Sequence, residues 1–179
     1  MKKLQYRATV HRAVHTYAIA GALFTAVLVP PALADGGKTI KLRIGVAITE
    51  MIGAGDSPAC PLIGQITGSG YSTELGAVGI RATDCFVPTD ATGTSFAFAT
   101  KPGTVVTLTT ANGDQLFGSY AGTATGAPAP IESISANLTI SGGTGRYLKA
   151  SGSATIEGVE NIGTVPAVGV LVISGRLSY

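Results

Sequence analysis

The chain has 179 residues, 45% of them apolar and only 12% charged, with a formal charge of +2. That length suits a single domain. Its only histidines are His11 and His15, so the chain beyond them has no imidazole. Ser-His-Asp and Cys-His catalysis are excluded for that part acting alone, and the commonest metal ligand is missing.

Residues 1–34 have the pattern of a secretory signal. Lys2, Lys3, Arg7 and Arg12 form a basic start, Ala18 to Val29 an apolar run, and Ala32-Leu33-Ala34 a small-x-small cleavage site before Asp35. The run falls well short of the ~20 residues a spanning helix needs, so no membrane span is expected once it is cleaved. Cleavage would leave eight basic residues against ten acidic ones, a formal charge of −2. A nucleic-acid partner wants a basic face, and none is evident. Cys60 and Cys85 form an even pair, read in an exported domain as a disulfide.

Residues 35–61 read as a strand and a loop. Ile40, Leu42, Ile44, Val46 and Ile48 alternate with Lys41, Arg43, Gly45, Ala47 and Thr49, a period-two signal with one buried face. Met51 to Pro61 is rich in Gly, Pro and Asp and reads as a loop. Leu62 to Tyr71 and Gly76 to Val87 follow as paired strands. A turn near Ser72-Thr73 would set Cys60 opposite Cys85.

Ser95 to Thr100 is a short strand with Phe96 and Phe98 on one face. Thr104 to Ala111 and Asp114 to Thr125 flank Asn112-Gly113, a strong signal for a two-residue type I′ hairpin. That register pairs Leu108 with Phe117. Ile134, Ala136, Leu138 and Ile140 mark the next inward face. A Gly-rich connection from Gly142 carries Arg146 and Tyr147, side chains able to close the end of a barrel, into a strand from Ser153 to Glu157. Gly158 to Pro166 reads as a loop, and Val168 to Tyr179 as the last strand. No amphipathic helix is indicated. Glycines inside strands ease tight bends, and closure removes exposed edges. The expected fold is therefore all-β, a small closed antiparallel barrel of about eight strands.

Asn112-Gly113-Asp114-Gln115-Leu116, Gly118 to Thr123, Gly142-Gly143-Thr144-Gly145-Arg146-Tyr147 and Ala150 to Ala154 carry a resemblance. Over residues 62–179 the chain looks like bacterial secreted proteins with an allene-oxide-cyclase-like barrel, related in fold to the plant allene oxide cyclases and dirigent proteins. The resemblance implies an eight-stranded barrel with a largely apolar cavity. It transfers no catalytic site.

Candidate chemistry comes from the residues themselves. Asp84 shares a face with Val78, Ile80, Ala82 and Phe86, so it can point inward as a catalytic carboxyl; the simpler reading is a strand-end aspartate bonded to loop amides. Glu157 and Glu160 flank Gly158 and read more simply as solvated turn residues. Arg81 and Arg146 can hold an anionic ligand group, or pair with acids at the rim. Tyr71, Tyr120 and Tyr147 can line a cavity mouth, or simply pack. No metal site and no cofactor are implied: the Gly-rich connection lacks the Gly-Lys-Ser/Thr ending of a phosphate loop. The expected function is an exported barrel binding a small apolar molecule. The alternatives are a cyclase or isomerase for a flexible hydrophobic substrate, a structural secreted module, and an outer-membrane barrel. Self-association is left open.

Overall fold

The structure is a computed structural model that describes residues 37–126 and 130–179. The expected signal segment, 1–34, lies outside the described residues. Among the described residues there are nine strands: β1 Thr39–Ser57, β2 Cys60–Ser72, β3 Gly76–Pro88, β4 Ser95–Thr100, β5 Val106–Thr110, β6 Gln115–Gly126, β7 Ile131–Gly143, β8 Ser151–Asn161 and β9 Ala167–Ser178. They form one antiparallel sheet in the order β2-β1-β9-β8-β7-β6-β4-β3-β5, closed by pairing of β2 with β3. β4 and β5 both lie between β3 and β6. They are two halves of one stave, separated by Lys101 to Val105. The ring therefore has eight positions, as the sequence predicts.

Alternation does the rest. Leu42, Ile44, Val46 and Ile48 of β1 are buried while Lys41, Arg43, Gly45, Ala47 and Thr49 between them are exposed. The same parity puts Val78 and Ile80, Leu138 and Ile140, and Leu171 and Ile173 inside, in one continuous core. One end of the barrel is closed by the Gly-rich connection, as expected. It makes a single 3-10 turn, Gly145–Tyr147, that delivers the Tyr147 ring into the core. There the ring meets Tyr179 edge-on at 4.9 Å.

Three boundaries differ from the sequence reading. Met51 to Ser57 is not loop: β1 continues to Ser57 and pairs with β2 as far as its start. Since β1 pairs with both β2 and β9, the barrel begins at Thr39, and the boundary expected at residue 62 falls inside it. Gly158 to Asn161 likewise belongs to β8, paired with both β7 and β9. The residues that suggested a loop are held in a ladder, by β2 alone from Met51 to Ser57 and by strands on each side from Gly158 to Asn161.

Two registers differ as well. In the β2–β3 hairpin Ile63, not Cys60, faces Cys85. The turn lies further along than expected, at Thr73 to Leu75, where the Ser72 hydroxyl accepts from the Glu74 and Leu75 amides. Cys60 and Cys85 are nonetheless disulfide-bonded, with Cα atoms 5.2 Å apart. The bond pins the β1–β2 turn onto β3. In the β5–β6 hairpin Leu108 faces Leu116, not Phe117. The loop holds three residues rather than two: the Thr110 amide bonds the Asp114 carbonyl, and Gly113 takes φ +87°, the left-handed residue that a three-residue loop requires. Thr110 Oγ1 and Asn112 hold this turn through Asp114. One extra loop residue swaps the faces of a strand, so Leu116 is fully buried and Phe117 only partly.

That register makes a direct prediction. Leu116→Ala removes a core side chain and costs about 2–5 kcal/mol, whereas Phe117→Ala costs about 1 kcal/mol. Urea unfolding of the two variants checks this. The larger cost at Phe117 would restore the two-residue turn.

Candidate functional site

The end of the barrel opposite Tyr147 is different in kind. Following the inward parity of β1 past Ile48 leads to Glu50, which is 1% exposed. The inward row of β8 runs Ala154, Ile156, Gly158 and then Glu160, 4% exposed. On β7 the row ends at Glu132, also buried and directly across the ladder from Glu160. On β3 it carries Asp84, 1% exposed. Four carboxyls from four strands thus project into one end of an otherwise apolar interior.

Three of them, Glu50, Asp84 and Glu160, border a cavity. Its walls are Ile48, Ile66, Ile80, Ile134, Ile156 and Leu171, with Phe86, Phe98 and Tyr120 as the aromatic side. Glu50, Asp84 and Glu160 supply its polar atoms besides the Tyr120 hydroxyl. The cavity has a volume of about 30 Å³. The chamber is therefore narrow. It takes a water or a small head group as it stands, and a longer molecule only as side chains turn aside.

The carboxyls are held by different means. Tyr120 donates its hydroxyl to Asp84 Oδ1. Across the ladder from Asp84 stands Gly64, and a Cβ there would collide with the Glu50 carboxyl and the Phe86 ring. The absent side chain at Gly64 is the space that Glu50 occupies. Glu50 Oε1 and Glu160 Oε1 are both buried without a hydrogen-bond partner. The two carboxyls bond each other once one is protonated.

Burial without a nearby cation makes these acids weak. Desolvation, then the charges of Glu160 and Asp84, push Glu50 up to about 9. Burial likewise raises Asp84 to about 7, against the opposing pull of the Tyr120 hydrogen bond and with some help from Glu160. Glu132 is raised by burial and by Glu160. Glu160 is raised by burial, partly offset by its bond with Glu50. Tyr120 is held well above its ordinary value by burial and the adjacent Asp84. Near neutral pH one carboxyl keeps its proton while another is about half ionised. Titratable groups pushed apart in this way are the ordinary means of assigning an acid and a base.

The sequence candidates divide sharply. Asp84 and Tyr120 meet in the cavity. Tyr147 is buried, but at the other end. Tyr71 is 64% exposed, and Arg81 is exposed on the outer wall. Arg146 lies over the Tyr147 ring at 4.8 Å and pairs with Asp114 at 3.8 Å, so it braces the closed end. Glu157 is exposed as expected, whereas Glu160 is not a solvated turn residue. Glu50 and Glu132 were not among the candidates. The signal for both was present: each continues an inward row by one step, Ile48 to Glu50 and Ile134 to Glu132. Among the described residues, no group of three or more His, Cys, Asp or Glu side chains is arranged to hold a metal ion.

The raised acids set a pH dependence. In the unfolded chain Glu50 and Asp84 ionise at their ordinary values, 4.5 and 3.8, and in the folded barrel near 9 and 7. The native state thus binds these protons more tightly. The resulting stability is complete in acid and is lost as pH rises through the folded values. The melting temperature should fall steadily from about pH 4.5 to 9, with Glu50→Gln flattening the upper part of the slope and Asp84→Asn the lower. A melting temperature that rises across this window would show the carboxyls to be ionised and solvated.

No protein-family model matches the chain, and no curated protein sequence matches it. Among solved structures it is similar to the pterocarpan synthase dirigent protein GePTS1, with 13% identity and a TM-score of 0.47 over 88% of this chain and 99% of that one.

Proposed function

We propose that the protein is an exported barrel that takes a small apolar molecule into its acidic end and moves a proton on it, as an isomerase or cyclase does. The observation that carries this reading is the Asp84–Tyr120 pair in an apolar cavity beside Glu50. A carboxyl whose proton affinity is tuned towards neutral pH is what general acid–base catalysis needs, and such catalysis contributes about 10²–10⁴-fold in rate. In the proposed step ionised Asp84, oriented by the Tyr120 hydroxyl, takes a proton from carbon while protonated Glu50 returns one. The apolar walls hold a flexible substrate folded.

Export is supported by the basic and apolar N-terminal pattern, by the disulfide, and by the lack of a helix long and apolar enough to cross a membrane among the described residues. The outer-membrane alternative fits less well. Such barrels turn apolar residues to lipid and polar ones inward. Here Lys41, Arg43, Arg81, Glu157 and Arg176 are exposed on the outside, while the interior is mostly Ile, Leu and Val.

The test is native mass spectrometry of the full chain, expressed with its own N-terminus and recovered after export. The expected product begins at Asp35 and carries a dissociable small-molecule adduct. Once identified, the adduct is incubated with the protein in deuterated water. Deuterium should enter carbon with the wild type and about 10²-fold or more slowly with Asp84→Asn. An adduct bound equally by both, with no exchange in either, would reduce the protein to a binding module. No adduct would point to a filled structural barrel.

A further inference from the structure

We propose that the molecule this cavity selects is an apolar amine, its protonated nitrogen seated among Glu50, Asp84 and Glu160 and its body along the isoleucine and phenylalanine walls. This rests on the reading of the cavity as a ligand site and names the ligand's class. The cavity lining includes three carboxyls and a phenol but no Lys, Arg or His. Two of those carboxyls, on Glu50 and Glu160, each leave one buried oxygen without a donor. A buried acceptor without a partner is costly, and a bound donor relieves that cost.

The possible head groups differ in how well they do so. A carboxylate or phosphate would add negative charge to a negative pocket. A hydroxyl brings one donor and leaves the second oxygen unpaired. An alkylammonium brings three N–H donors and a positive charge, which lets neighbouring carboxyls ionise together. Its head is about the size of a water, the size of the space already open there. The faces of Phe86, Phe98 and Tyr120 add the electron-rich surface that an organic cation favours.

The titratable side chains at this end come from five strands. Glu50 comes from β1, Asp84 from β3, Tyr120 from β6, Glu132 from β7 and Glu160 from β8. β2, β4 and β9 face the cavity with Ile66, Phe98 and Leu171, which do not titrate. An ammonium therefore meets only groups that gain negative charge as pH rises. Its binding near neutrality should release protons from the carboxyls.

The experiment compares octylamine, 1-octanol and octanoate by calorimetry on the full-length protein. At about pH 8 alkylamines are still protonated. The amine is expected to bind roughly tenfold to a hundredfold more tightly than the alcohol, the worth of a charge-assisted hydrogen bond, and octanoate more weakly than either. Heats measured in buffers of different ionisation enthalpy should show proton release. Glu160→Gln and Glu50→Gln should each erase the amine's advantage over octanol, and Glu157→Gln on the outer wall should change nothing. Far-UV circular dichroism checks the fold, and either inner variant suffices if the other fails to fold. Octanol binding as well as octylamine, or an advantage that survives Glu160→Gln, would overturn the amine assignment and leave the cavity reading intact. Binding of none of the three would remove both.

Discussion

Closure of the sheet is the constraint on which everything else depends. The β2–β3 ladder joins the two ends of an eight-position ring, and a closed ring has only two sides. Strand geometry sends alternate side chains to each. A residue's parity in its strand therefore decides whether it meets water or the core, whatever its chemistry. For Ile44, Leu138 or Ile173 that placement is favourable, each side chain contributing about 1.5–3 kcal/mol by burial. For Glu50 and Glu160 the same rule applies against their chemistry.

Those acids show how the barrel accommodates polar groups that it did not need for folding. A buried carboxylate without a cation is strongly disfavoured, and it takes up a proton instead. Glu50 answers in this way, and its neutral form then serves as the partner of Glu160. Asp84 answers differently, by accepting the Tyr120 hydroxyl, which partly restores its charged form. The environment thus separates two carboxyls of the same cavity into a proton holder and a proton acceptor. Apolar residues at Glu50 and Glu160 would have packed the end more simply, and the space left by Gly64 shows that the surroundings are fitted to a carboxyl.

The barrel was legible because alternation and turn residues are local signals that repeat. The ten-residue alternation from Ile40, the Asn112-Gly113 turn and the Gly-rich connection each announced a strand or its end. What failed was counting. A two-residue reading of the turn before Asp114 displaced β6 by one, and that slip exchanged Leu116 for Phe117. The acidic site was half legible. Asp84 and Tyr120 belonged to strands already recognised, so their inward direction followed. Glu160 stood in a segment read as loop, and Glu50 and Glu132 in the short gaps between a recognised strand and the loop or breaker beside it. Only ladders from both neighbouring strands hold those ends extended, and such non-local pairing has no signature within the segment itself.

The two ends of the barrel also divide the work by the same physics. At one end a 3-10 turn drives Tyr147 inward against Tyr179 while Arg146 caps it from outside. That end is filled; the Tyr147 hydroxyl is buried there without a partner, Thr144 Oγ1 accepts from the Gln115 amide, and Arg146 pairs with Asp114. At the other end no such plug lies among the cavity-lining residues, and the inward rows finish in carboxyls instead. A molecule entering there meets carbon on all sides and charge at one place. The pocket's polarity would orient the proposed ligand: its polar group would go to the acids and the Tyr120 hydroxyl, because the rest of the chamber wall is carbon.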